Sequence, residues 1–304
     1  MSGLALALGA LGAAIALSWA VREALARALP DRAGRLFGDA PLTACFGLIV
    51  IVTYATAALF APLIAPFGEA EVVGRAFQPA DGQMWLGGDQ IGRDLFSRLV
   101  YGARNTVGIA LLTTGIAFVA GVVTGLLAAA LGGWVDQALG RIADMLMAIP
   151  QLIFALLLLT ITGTSILNLT LIIALLYAPL IFRLTRAVAG NIVVLDYVTA
   201  ARLRGEGTWH IMRREVLPNI AAPLAAEFGL RFCFVFLAIS ALSFLGLGLQ
   251  PPTADWGSMV RETATMISFG LVTPLIPAAA IALLTVGVNF VVDWMLHLSS
   301  GLKE

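Results

Sequence analysis

The sequence predicts an all-α polytopic membrane protein, and three observations carry that prediction. Of 304 residues, 60% are hydrophobic and only 12% charged, with a mean hydropathy of +0.96; soluble domains carry roughly 25% charged residues. The apolar residues gather into runs of about 20 or more, long enough to cross hydrocarbon as helices. The charges lie between those runs, with arginine in excess on alternate sides. Net charge is zero, so no basic surplus points to nucleic acid. Cys45 and Cys233 sit far apart inside apolar runs, which marks them as packing residues rather than a disulfide framework or metal site.

Taken in order, residues 3–21 form an apolar run with no Lys or Arg before it. A secretory signal begins with a positive region, so the run reads as an uncleaved spanning helix with its N-terminus outside, in preference to a helix lying on the surface. Arg22, Arg27, Arg32 and Arg35 hold its far end in the cytoplasm, making residues 1–41 an extra helix plus a basic linker. The main transmembrane domain is 42–296, with a tail at 297–304. Leu42–Ala65 spans first, closed by Pro62 and Pro66. Residues 66–104 form an outer loop whose arginines are balanced by acids, with Asp94 placed to cap an amphipathic helix at the interface. Thr106–Leu131 spans back to Gly132 and Gly133. Met145–Phe182 is uncharged and too long for one crossing. Thr160–Ser165 and Asn168 divide it in two, and Pro150 kinks or opens the first half. Arg183 and Arg186 end the second half in the cytoplasm. Ile220–Leu249 returns outward to a loop at 250–270. Met266–Val292 crosses last, with Pro274 and Pro277 at its outer end and Asp293, His297 and Lys303 at its inner end. The result is six core spans and one extra.

Residues 197–219, YVTAARLRGEGTWHIMRREVLPN, stand apart between two apolar runs. A stretch carrying Arg202, Arg204, Glu206, His210, Arg213, Arg214 and Glu215 cannot sit in hydrocarbon, and its arginine excess puts it in the cytoplasm, inside an inner loop at 190–219. Ala200, Ala201 and Leu203 form one short helix, and Gly205 and Gly207 break it. Trp209, Met212 and Val216, at i, i+3 and i+7, share an apolar face of a second helix, which Pro218 stops. The expected product is a compact helix–turn–helix shaped for docking. A solvated loop needs neither small alanines at the turn nor an apolar stripe after it.

Glu227 and Arg231 are the one ionisable pair deep in a span. Spaced i, i+4, they share a face and lie ~14 and ~20 Å along the helix from Pro218. Charge at that depth suggests a polar lining or gate beside a transport path, or equally a structural bridge to a partner subunit. No glycine-rich phosphate loop followed by Lys-Ser/Thr is present, so this chain does not itself bind ATP in the usual way. His210 and His297 are isolated, without ligand partners at metal spacing, and Gly246-Leu-Gly248 lacks the context of a nucleotide motif.

The spacing from Ala200-Ala201 through Gly205 to Leu217-Pro218 resembles the cytoplasmic coupling loop of ABC-importer permeases. Thr199 departs from it where an acid is expected, and Glu215 where an aliphatic is. Trp85–Asp94, Ser97–Arg104, Ala148-Ile-Pro-Gln-Leu152, Leu242–Pro252 and Asp255–Met259 resemble the dipeptide/oligopeptide/nickel branch, as the second, C-type permease of the pair. Arg204 and Glu206 stand where that branch has apolar or small residues. The likeness runs from about Leu42 to Val292. It implies the type I ABC importer permease fold in a bacterial cytoplasmic membrane. It also implies a heterodimer with a homologous second permease, two ABC ATPase subunits that bind ATP and Mg, and an external substrate-binding protein. Ala200, Ala201, Arg202, Gly205, Trp209, Leu217 and Pro218 are then the coupling residues. Pro150 and Gln151 border the path, alongside Glu227 and Arg231. Ser240 occupies the place where the family often has glutamate near the outer end of the helix, so substrate preference does not transfer. Di- or oligopeptides lead as cargo, with nickel chelates, glutathione-like thiols, opines and short sugars as alternatives. The rival classes are a passive channel, which needs no docking loop, and an intramembrane enzyme, which needs clustered His, Asp or Glu.

Overall fold

The computed structural model describes the backbone of residues 2–28 and 38–300. Arg32, Arg35 and Lys303, part of the sequence-based topology, fall outside the described residues. The named elements of the described chain are all helices, without a named strand; its irregular outer loop holds two isolated bridges, Val72 to Arg93 and Gly88 to Asp94. Helix α1 (Ser2–Ala28) packs against α2 (Leu42–Leu59). Helix α2 ends before Ala65 because the chain turns at Phe60, and a separate turn, Ala61–Ile64, accommodates Pro62 at its start, where no helical N–H is needed.

Helices α3 (Leu95–Gly102) and α4 (Gly108–Leu131) are joined by a π-helical turn, Ala103–Val107, into one continuous helix of 37 residues. The amphipathic segment of the outer loop is therefore the first two turns of the span itself. Next come α5 (Gly133–Met147) and α6 (Gln151–Thr162), bent by 85° across residues 148–150. The predicted crossing from Met145, kinked or opened at Pro150, is thus corrected in its start. Met145 belongs to α5, and the 12 residues of α6 rise only ~18 Å against a hydrocarbon core of about 30 Å. Pro150, extended at φ −56° and ψ 117°, starts α6 rather than kinking a continuous helix.

Helix α7 (Ile166–Val193) carries Pro179 inside it and leads to α8 (Asp196–Leu203). Then α9 (Thr208–Ile211), a π turn (Met212–Val216), a 3₁₀ turn (Leu217–Ile220) and α10 (Ala221–Phe244) run on as a second 37-residue helix. Pro218 therefore does not stop the helix; the π and 3₁₀ turns absorb its missing N–H, and the segment expected to dock becomes the foot of a span. Helices α11 (Trp256–Thr263) and α12 (Leu275–Ser300) complete the chain. Among the described residues, five helices are long and apolar enough to cross a membrane, and the bent α5–α6 pair makes a sixth if counted as one broken crossing.

Small residues let the spans approach closely. A Cβ on Gly121 would lie 2.6 Å from Cβ of Ile181, and one on Gly125 2.7 Å from Cβ of Thr185, so α4 and α7 touch along a Gly-xxx-Gly edge. Gly47 and Gly287 do the same for α2 and α12. The principal core gathers Leu159, Ile173, Ile181, Val235, Phe236, Ile239 and Trp256. Cys45 and Cys233 are free and buried, as their apolar surroundings predicted.

Candidate coupling surface and transport path

The segment at 190–219 folds as a knuckle with a buried inner face and an exposed outer one. Val198 and Ala201 of α8 join Ile211, Met212, Val216 and Ile220 in a second apolar cluster with Leu126, Ala189, Val193 and Leu224 from the span ends. Gly205 ends α8 in the left-handed region at φ +82°. The N–H of Gly205 donates to Arg202 O at 2.9 Å and that of Glu206 to Ala201 O at 3.2 Å, the paired bonds of a Schellman cap. Asn219 Nδ2 ties the two halves, donating to Tyr197 Oη at 3.2 Å and Glu215 O at 2.6 Å.

The expected stripe of Trp209, Met212 and Val216 is corrected. Met212 and Val216 are buried, but Trp209 is 66% exposed and Ile211 holds the inner position. A stripe counted at 3.6 residues per turn loses register across the π turn. Ala200, Arg202, Gly205, Trp209 and Pro218 face outward, with Leu203 86% exposed beside them; Leu217 is half-buried. Arg204 and Glu206 pair with each other, Nε and Nη2 of the arginine donating at 2.8 and 2.7 Å. Their departure from the family's apolar pattern thus adds no net charge to the outer face.

At the opposite end, two stretches distant in sequence are clamped together. Asp89 accepts from Arg93 Nε at 2.6 Å and from the N–H groups of Ile91 and Arg93 at 2.9 and 3.0 Å. Arg93 and Arg98 both reach Glu262, at 3.1 and 3.3 Å, with all four side chains at most 9% exposed. Glu69 accepts from Asn105 Nδ2 and the Ala254 N–H, each at 2.9 Å. Asp94 caps α3 through the N–H and Oγ of Ser97. Asp255 caps α11 through the Ser258 N–H and accepts from Thr106 Oγ1. Burial pushes the Asp255 carboxyl up, and those hydrogen bonds draw it back. Trp256 donates from Nε1 to Leu99 O at 2.9 Å and lies against Gly102, where a Cβ would meet its ring at 2.5 Å. Glu69 and Glu262 were not singled out from sequence. Nothing local marks them, because their partners lie 36 and 164 residues away or more.

Between these ends, Gln151, Ala155, Ile173, Tyr177, Phe234 and Ala238 line a cavity of about 280 Å³. The break at 148–150 lies beside it, and irregular backbone at membrane depth is tolerated where protein or a water-filled cavity covers it. Gln151 Nε2 donates to Leu176 O at 3.1 Å, in the turn disturbed by Pro179. Glu227 and Arg231 form an ion pair at 2.5 Å, with side chains 9% and 17% exposed, on the same stripe of α10 as Phe234 and Ala238. Of the predicted path residues only Gln151 lines the cavity; Pro150, Glu227, Arg231 and Ser240 are not among the lining residues. Ser240 occupies the opposite face of α10, its carbonyl packed on Gly257.

A helical membrane bundle with a compact knuckle at one end and a clamped loop module at the other suits an integral-membrane transport subunit. The chain belongs to the family of binding-protein-dependent transport system inner membrane components, whose model matches residues 121–300. As a member it is a multi-pass translocation subunit of an ABC importer, not an enzyme, and in such importers ATP use lies in separate ATPases. It is 33% identical to a dipeptide transport system permease protein, DppC, of Alkalihalophilus pseudofirmus, over 82% of this chain and 83% of that one. It is 36% identical to a di/tripeptide transport system permease protein, DppC, of Pseudomonas aeruginosa, over 81% and 84%. A glutathione transport system permease protein, GsiD, of Pectobacterium atrosepticum is 33% identical over 69% of each chain.

Proposed function

We propose that this chain is one half of a heterodimeric permease in a bacterial cytoplasmic membrane and carries peptides inward. A homologous second permease supplies the other half of the path. An external binding protein delivers the solute, and each permease engages one of two ATPases, which hold ATP and Mg. Residues 42–296 form the transport domain, and α1 within 1–41 crosses the bilayer as an additional helix with its N-terminus outside.

The observation that carries this reading is the built knuckle. Its inner face, Val198, Ala201, Ile211, Met212 and Val216, is welded to the ends of three spans, while Leu203 and Trp209 stand in the open. An apolar pair held out from a rigid base suits a partner groove and conveys its movement to the helices. Closure of the ATPases would push on α8 and α9, and through the continuous Thr208–Phe244 helix on α10 directly. Peptide cargo is supported by the two DppC relatives.

The test is co-purification from native membranes. Tagged wild-type chain is expected to bring ATPase subunits with it. Ala201→Asp, which puts a carboxylate into the buried face, is expected to lose them and abolish uptake. Recovery of the wild-type chain without any ATPase would sink the proposal.

A further inference from the structure

We propose that Arg231 is the carboxylate-recognising group of the transport path: one edge of its guanidinium is held by Glu227, and the other is offered to the negatively charged end of the carried solute. This rests on the importer reading above and adds the chemistry that the path recognises. Glu227, Arg231, Phe234, Ala238 and Ala241 follow one another on α10 at offsets of four and three, and so form a single stripe. Arg231 Nε donates to Glu227 Oε1 at 2.5 Å. Its two terminal amines make no hydrogen bond among the described residues, and the side chain stays 17% exposed. A bridge that served packing alone would gain from satisfying those donors, since a buried ion pair offsets its desolvation only when the remaining groups are hydrogen-bonded. Arginine also presents two parallel N–H groups that match a carboxylate.

The surroundings favour the same ligand. The Arg231 guanidinium carbon stands 5.6 Å from the centre of the Phe234 ring, and that ring also walls the cavity beside Gln151 and Tyr177. Gln151 uses its amide N–H on Leu176 O, and Tyr177 its hydroxyl on Phe234 O at 3.3 Å. What Gln151 leaves over is an acceptor, its Oε1, beside a second amide N–H. The order of groups thus runs from donors at Arg231 on α10, past apolar walls, to an acceptor at Gln151 on α6. That order suits a small zwitterion, its carboxylate on Arg231 and its ammonium toward Gln151. Glu227 is a positioning residue here: it holds the guanidinium by Nε and neutralises it while the path is empty, so the solute is released once the cycle turns.

The experiment uses the whole importer in liposomes, with tritiated Ala-Ala as probe. Accumulation of the probe is read alongside ATP hydrolysis stimulated by loaded binding protein. R231Q is expected to cut uptake at least tenfold while stimulated hydrolysis stays within twofold, R231K to fall between, and E227Q, which loses the positioning carboxylate but keeps the guanidinium, to lose less uptake than R231Q does. Wild-type uptake in R231Q overturns the proposal. So does an equal loss in E227Q and R231Q with recovery in the double variant, the behaviour of a purely structural pair. Wild-type liposomes that accumulate no probe would instead sink peptide cargo, and this inference with it; that failure is distinct because it appears before any variant is compared.

Discussion

Gly205 shows how one residue shapes the proposed coupling surface. Its φ of +82° lies where side chains with a Cβ pay a penalty, although no atom stands in the way of one. Gly205→Ala is therefore expected to cost about 1 kcal/mol locally, from strain rather than collision. It should lower transport severalfold while membrane abundance stays normal, as quantitative blotting beside an uptake assay would show. Trp209 is the complementary case, exposed and free of a structural role in the knuckle's core. Trp209→Ala should leave folding intact and weaken ATPase retention by about tenfold or more, the scale of an aromatic interface anchor worth ~2 kcal/mol. An unchanged binding curve for purified ATPase would remove Trp209 from the interface. Gly205 was legible from its place after Ala200, Ala201 and Leu203. The outward turn of Trp209 was not, because one π turn displaces every residue counted across it.

At the scale of elements, the clamp and the glycine edge do different work. Glu262 accepts from both Arg93 and Arg98, and its removal leaves two buried guanidinium groups to Asp89 and a carbonyl. Glu262→Ala is expected to cost about 3–5 kcal/mol, the usual consequence of breaking a buried pair, and to lower the melting temperature of the purified permease. Glu262→Asp should recover part of that loss. Gly121→Leu places a branched side chain where even a Cβ would overlap Ile181, and overpacking of this kind costs about 1–3 kcal/mol. A falling yield of detergent-stable complex would report it. Most spans could be read from composition, since twenty apolar residues have few other uses. The clamp could not, because its charges meet only after α11 has folded back over the foot of α3. Nor could the bend before α6. Pro150 announces a disturbance there, but not its 85°, which involves two helices that both pack on α7.

The whole molecule has a sidedness that can be measured. The knuckle is expected to face the cytoplasm and the clamp the outside, so Leu203→Cys should react with an impermeant maleimide only in inverted vesicles. Trp85→Cys, 61% exposed in the outer module, should react only in right-side-out cells. Reaction of both from one side would overturn the topology. A reporter fused ahead of α1 would likewise decide whether that helix crosses. The burial of both native sulfur atoms has a practical sequel. Cys45 is 0% exposed and Cys233 3%, each wedged between neighbouring helices. The wild-type chain therefore offers a silent chemical background, on which fluorophores or spin labels can be attached one site at a time without first stripping the native thiols from a tightly packed interior.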